Sequence, residues 1–159
     1  MNMADIANLK YENIQGDTII FTRLKTIKKR NLKPIMVSVT QHIIDIIENW
    51  GIKPRKTKGY LFSIISENQD LKTKKAKIKQ FTKQVNKYIR RIGNNLEIEA
   101  DITTYTARHT YATVLRRKGY SDAFIGESIG HSDPKTTENY FGSFEQDSLK
   151  QAAEKLTEW

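Results

Sequence analysis

The chain has 159 residues, enough for one domain with its own hydrophobic core, and its 38% hydrophobic and 28% charged residues are a globular composition. It has no cysteine, which excludes disulfides and cysteine-ligated metal; the start MNMADIANLK has no signal-peptide core and no run approaches the ~20 apolar residues of a membrane span, so the expected compartment is the cytoplasm, with no membrane partner. Lys and Arg total 27 against 18 Asp and Glu, a net charge of +9 that points to a polyanionic partner, nucleic acid above all.

Along the chain, residues 4–10 carry Ile6 and Leu9 three apart, a helical spacing. A Gly16-Asp17 turn signal opens a strand over 17–22. The basic run KTIKKRN (25–31) reads as a turn and 33–38 as a second strand, which together make an antiparallel hairpin with a strongly basic loop. Pro34 places that second strand at an edge. Thr40 caps a helix to Trp50, with Ile43, Ile44, Ile46 and Ile47 on its apolar side, and Gly51 stops it. A basic loop leads to YLFSII (60–65), a short buried strand or extended stretch. The longest helix is 74–92, with Ile78, Phe81, Val85, Tyr88 and Ile89 in a stripe and Lys77, Lys83, Lys87 and Arg91 off it. Trp50, Phe62, Phe81 and Tyr88 have core spacing, and His42 falls on a solvent flank.

A helix over 106–118 stops at Gly119, and Ser121 caps a short helix that ends at Gly130. Asp133-Pro134 opens another through Tyr140, and a last helix over 145–157 carries Leu149, Ala152, Ala153 and Leu156 on one face. The sum is an α+β fold, mainly α, with a small antiparallel sheet, in one domain over 1–159.

The residues with chemical potential cluster in 103–140. Arg108, Ala112 and Leu115 share one helix face, with Leu115 directed to the core, so Arg108 sits at the edge of a partly buried surface. There a guanidinium either closes a structural ion pair or grips a ligand phosphate with its fork. His131, in a junction between helices, is by itself as good a structural donor as a catalytic group, and Tyr140 alone reads as a core aromatic.

Their joint spacing says more. ARHTYAT, about fifteen residues, and then IGHSDPKTTENY, with Tyr140 nine residues after His131, closely resemble the two C-terminal motifs of the tyrosine recombinase, or phage integrase, family. The wording is especially similar to mobile-element integrases of Bacteroides-type bacteria. The opening DIANLKYENI, a strand, a basic KT turn and a second strand extend the likeness over essentially the whole chain.

The resemblance implies that Tyr140 is the nucleophile, attacking a DNA phosphate to form a 3′-phosphotyrosine link and release a 5′-hydroxyl. It implies that Arg108 and His131 bind the scissile phosphate and that Lys25, in the hairpin turn, protonates the leaving oxygen. It implies no cofactor and no metal, a double-stranded DNA partner, and a tetramer on DNA in which the C-terminal helix docks on a neighbouring protomer. Such chemistry needs fixed cations where charge develops on the phosphate, and a field that activates a phenol of ordinary pKa ~10. Two positions depart from the family. Tyr105 stands where it usually has a histidine, and retains a hydrogen-bonding role with weaker basicity. Asn2 stands where it has its first arginine, which either precedes this sequence or is supplied from elsewhere. The family's N-terminal DNA-clamping domain is absent from the sequence. The expected function is therefore a site-specific recombinase domain serving integration or excision of a mobile element. The alternatives are a non-catalytic DNA-binding module and a type IB topoisomerase-like enzyme.

Overall fold

Helix α1 (Met3–Asn8) opens on a reciprocal capping box: the Asn2 side chain accepts from the Asp5 amide at 2.8 Å, and the Asp5 carboxylate accepts from the Asn2 amide at 3.1 Å. The computed structural model describes residues 1–23 and 33–131. A single turn of 3-10 helix (Tyr11–Asn13) leads from α1 into β1 (Ile14–Gln15). Gly16 adopts φ +61°, and the Gly16-Asp17 pair turns the chain directly into β2 (Thr18–Phe21). Strand β3 (Ile35–Ser38) completes a three-stranded antiparallel sheet of order β1-β2-β3, in which Ile19 faces Val37 and Phe21 faces Ile35. The turn signal at 16–17 was legible, but the short strand before it was not. The basic loop carrying Lys25 lies outside the described residues, as does everything from Ser132 onward, including Tyr140, both helices expected there and the C-terminal docking segment.

Burial in β2 alternates strictly, with Ile19 and Phe21 inward. They pack with Leu9, Ile35, Leu61 and Ile47 in the main core. Ile47 comes from α2 (Gln41–Trp50), whose remaining apolar residues are less buried than the sequence suggests: Ile44 and Ile46 are exposed and Ile43 is half-buried. The segment 60–65 is not a strand. Tyr60 makes an isolated bridge to Lys10, the Leu61 amide donates to the Leu9 carbonyl at 2.7 Å, and the chain then turns through polar residues to Asp70, which caps α3 (Leu71–Asn95). One backbone bond is enough to bury Leu61 as the anchor of the core.

Two expected core aromatics are outside. Trp50 is 75% exposed because it ends α2, beyond the last residue that reaches the sheet, and Tyr88 is 55% exposed because it falls off the stripe that Ile78, Phe81, Val85 and Ile89 form on α3. Phe62 and Phe81 are half-buried, and His42 is exposed as expected.

Helix α3 contacts both α1 and α4 (Thr104–Arg117), α4 contacts α5 (Asp122–Ser128), and α5 packs back on β3. Ala112 on α4 and Ile125 and Ile129 on and after α5 form a second core, with Leu115 against it as its helix position requires. Among the described residues no helix is long and apolar enough to cross a membrane.

This second core fixes the angle between α4 and α5, and its largest fully buried side chain is Ile125. Ile125→Ala should therefore cost about 2–5 kcal/mol, the usual range for removing a buried aliphatic side chain. Urea unfolding monitored by circular dichroism measures it, and a loss below ~1 kcal/mol would mean that the site can collapse around the change.

Candidate active site

The site is built where α4 meets the end of α5. Thr103 caps α4, with the Thr106 hydroxyl accepting from the Thr103 amide, and the Thr104 amide donates to the Asn86 side chain of α3 at 2.9 Å. One turn further in, Arg108 is only 7% exposed. A permanently charged group in such a place needs strong acceptors. One is the Ile129 carbonyl, which accepts from Arg108 Nη2 at the C-terminal end of α5. Helix C-terminal carbonyls lack intrahelical donors and carry the negative end of the helix dipole, so they suit a guanidinium.

Gly130 then takes φ +70°, and the His131 amide turns back to the Gly126 carbonyl at 2.8 Å. Gly130 is required twice over. Its φ is strained for any side chain, and a Cβ there would lie 2.3 Å from Ile35 Cδ1 and 2.7 Å from Arg23 Cδ. The result is that His131 is set by backbone geometry beside Arg108, 23 positions earlier in sequence.

Arg23, at the end of β2, was counted in the sequence only as part of a basic run. Its Nη1 donates to the Gly130 carbonyl at 3.0 Å, and its Nε lies 3.5 Å from the carboxylate of Asp5, whose side chain is 3% exposed. Asp5 was likewise overlooked as a site residue. The signals that mark the pair are the N-x-x-D capping pattern of Asn2 and Asp5 and the arginine at a strand end. Asn2 itself is engaged as a helix cap.

His131 feels all of this. Burial, then the charge of Arg108, then that of Arg23 push its pKa from 6.5 down to about 4. Its imidazole is neutral at pH 7 and donates one hydrogen bond while keeping one acceptor. Tyr105, three residues before Arg108, is 54% exposed, and its ring meets His109 edge-on at 4.7 Å between centroids. Thus Arg108 and His131 are brought together, Tyr105 stands at the exposed start of the same helix, and Lys25 and Tyr140 lie outside the described residues.

The lowered His131 pKa has a definite pH consequence. As pH falls, the unfolded chain takes up this proton near 6.5 and the folded one only near 4, so the folded state loses stability across that window. In an NMR titration the His131 ring should have its midpoint near 4, and His131→Gln should remove this component of acid destabilisation. A midpoint at 6.5 would show that the two guanidinium groups do not act on the ring.

Comparison with known proteins agrees with this arrangement. The phage integrase family model matches residues 1–147. A tyrosine recombinase of Pseudothermotoga lettingae is 23% identical over 150 residues, covering 94% of this chain and 47% of its own. Tyrosine recombinase XerD of Staphylococcus aureus is 26% identical over 143 residues, covering 88% and 45%. The chain thus spans about half the length of these curated relatives. Among solved structures, the XerA recombinase superposes with a TM-score of 0.61 at 19% identity, covering 99% of this chain and 52% of that one. The Tn1549 transposon integrase in complex with transposon right end DNA gives 0.64 at 16% identity, covering 98% and 55%. These likenesses establish the helical catalytic fold with its small antiparallel sheet, and with the family match over nearly its whole length the chain belongs to the phage integrase family of tyrosine recombinases.

Proposed function

We propose that this chain is the catalytic domain of a DNA breaking and rejoining enzyme that moves a mobile element, with Tyr140 as its nucleophile. The observation that carries the proposal is the convergence of Arg108 and His131 at the end of α5, where a guanidinium and a neutral imidazole are held by backbone carbonyls and a helix turn. Family membership and the fold shared with a DNA-bound transposon integrase support it.

In this reading the Tyr140 hydroxyl attacks the scissile phosphorus. The Tyr140 oxygen–phosphorus bond forms, the bond from phosphorus to the 5′-oxygen breaks, and Lys25 gives the leaving oxygen its proton. Rejoining runs the same steps in reverse, with the 5′-hydroxyl of the partner strand as nucleophile and no external energy source. Arg108 binds non-bridging oxygens of the phosphate with its planar fork. His131 donates a further hydrogen bond to the phosphate. Tyr105 supplies a weaker form of the hydrogen bond that the family draws from a histidine. Such fixed donors meet the charge that grows on the phosphate and need no reorganisation at the moment of reaction.

Duplex DNA is held by phosphate contacts. On α3, Lys72, Lys75, Lys77, Lys79, Lys83, Lys87 and Arg91 are all exposed, the arrangement expected of a backbone-tracking surface. The assembly on DNA is a tetramer linked through the C-terminal residues.

Tyr140→Phe removes only the attacking oxygen. It should abolish the covalent adduct on a nicked suicide duplex, read by denaturing electrophoresis, and leave the DNA dissociation constant nearly unchanged. An adduct that persists in the Phe variant eliminates Tyr140 as nucleophile. A wild-type chain that binds DNA but gives no adduct is instead the non-catalytic module.

Lys25→Ala should slow cleavage by about 10²–10⁴-fold, the usual contribution of a general acid, with a much smaller effect on binding. A substrate with sulfur in place of the 5′-bridging oxygen carries a leaving group that needs no proton, and should restore the rate. If sulfur does not restore it, Lys25 serves only to bind.

A further inference from the structure

The position that matches the family's first arginine is Asn2, and its side chain caps α1 by accepting from the Asp5 amide. The cation has to come from another element if the site contains it at all. The structure supplies one. Asp5 Oδ2, the oxygen that accepts from the Asn2 amide at 3.1 Å, also lies 3.5 Å from Arg23 Nε. The guanidinium of Arg23 is therefore tethered against the same helical turn on which Asn2 stands. Its Nη1 reaches the Gly130 carbonyl, the next one along from the Ile129 carbonyl that holds Arg108.

We infer that Arg23 is a further phosphate-binding residue of the active site, reaching from the end of β2 to the place that the family fills from the first turn of α1. The inference rests on the reading of Arg108 and His131 as phosphate ligands and extends it by one residue. Three features of the arrangement carry it. Arg23 and Arg108 hold consecutive carbonyls immediately before His131, so two planar forks converge on one side chain. Both charges are felt at the His131 ring, where each lowers its affinity for a proton. And the stem of Arg23 runs so close over Gly130 that a Cβ there would meet its Cδ at 2.7 Å, so the residue before His131 is shaped to let this arginine pass.

Asp5 orients Arg23. With Nε directed to Asp5 and Nη1 to Gly130, the rotamer of a long and flexible side chain is fixed before any ligand arrives, which is the preorganisation that electrostatic stabilisation requires. Arg23 also stands two residues before Lys25, so the strand that delivers the general acid in the proposed mechanism delivers this cation too.

Two measurements test the inference and separate it from the reading beneath it. The first is independent of cleavage. Inorganic phosphate is titrated into the protein while the His131 ring is followed by NMR, in wild type, Arg23→Gln and Arg23→Lys, each checked for fold by circular dichroism. Arg23→Gln should weaken phosphate binding about 10-fold or more, the loss expected on removing a charge-assisted hydrogen bond, and Arg23→Lys should fall between. Should Arg23→Gln not fold, Arg23→Lys, which keeps the ion pair with Asp5, decides alone by whether its phosphate affinity drops. Unchanged affinity in the folded variants overturns the inference. The second measurement is single-turnover cleavage of the nicked suicide duplex at saturating DNA. Arg23→Gln should cleave about 10²–10³-fold more slowly, and a neutral methylphosphonate at the scissile position, which needs less positive charge, should close most of that gap. An equal deficit on both substrates means that Arg23 is structural. If phosphate binding depends on Arg23 but the wild-type chain forms no Tyr140 adduct, the anion site stands and the assignment of the nucleophile falls.

Discussion

Arg108 carries a permanent charge into a place that is only 7% exposed, and the local design follows from making that tolerable. A buried guanidinium is stable only where acceptors are already in position, because its five donors lose water on burial. The carbonyl of Ile129 meets this need, and it is available because α5 ends there. The end of α5 in turn depends on Gly130, whose positive φ lets the chain reverse and sends the His131 amide back to Gly126. One charge–carbonyl contact thus links the helix that bears the arginine to the turn that bears the histidine.

Packing gives this contact its precision. Ala112, one turn after Arg108, is completely buried, and its small side chain lets α5 come close enough for the arginine to span the gap. Ile125 and Ile129 fill the space beneath, and α5 rests on β3 through the neighbourhood of Ile35. Catalytic geometry is sensitive to shifts of a fraction of an ångström. Here the apolar contacts of α4, α5 and β3 hold the polar ones.

The electrostatics have a consequence for ligand binding. Without a ligand, His131 is neutral because burial and two guanidinium groups oppose its protonation. An anion placed between these groups reverses the balance, since a negative charge favours the protonated ring as strongly as the arginines disfavour it. The histidine thus acquires its strongest donor form when a phosphate is present, and proton uptake accompanies binding. A site made this way distinguishes a charged ligand from a neutral one by the protonation it induces.

Several features were determined by the sequence by itself, because they follow from local rules. Gly16-Asp17, Ser121, Gly119 and Gly130 mark turns and helix ends by backbone preference and capping, and all four behave as their chemistry requires. The shared face of Arg108, Ala112 and Leu115 follows from helical periodicity, and the spacing of Arg108, His131 and Tyr140 carried the family resemblance. The positions of Trp50 and Tyr88 were not legible, because whether a large aromatic is buried depends on which neighbour comes to cover it. Nor was 60–65, which has strand composition but only one bridge to pair with. Above all, the meeting of Asp5, Arg23 and Gly130 was decided by the tertiary structure alone. The three lie on a first helix, a strand end and a distant turn, and no periodicity relates them. An arginine in a basic run looks like any solvated cation until the fold closes around it, and only the packing of α5 on the sheet turned this one toward His131.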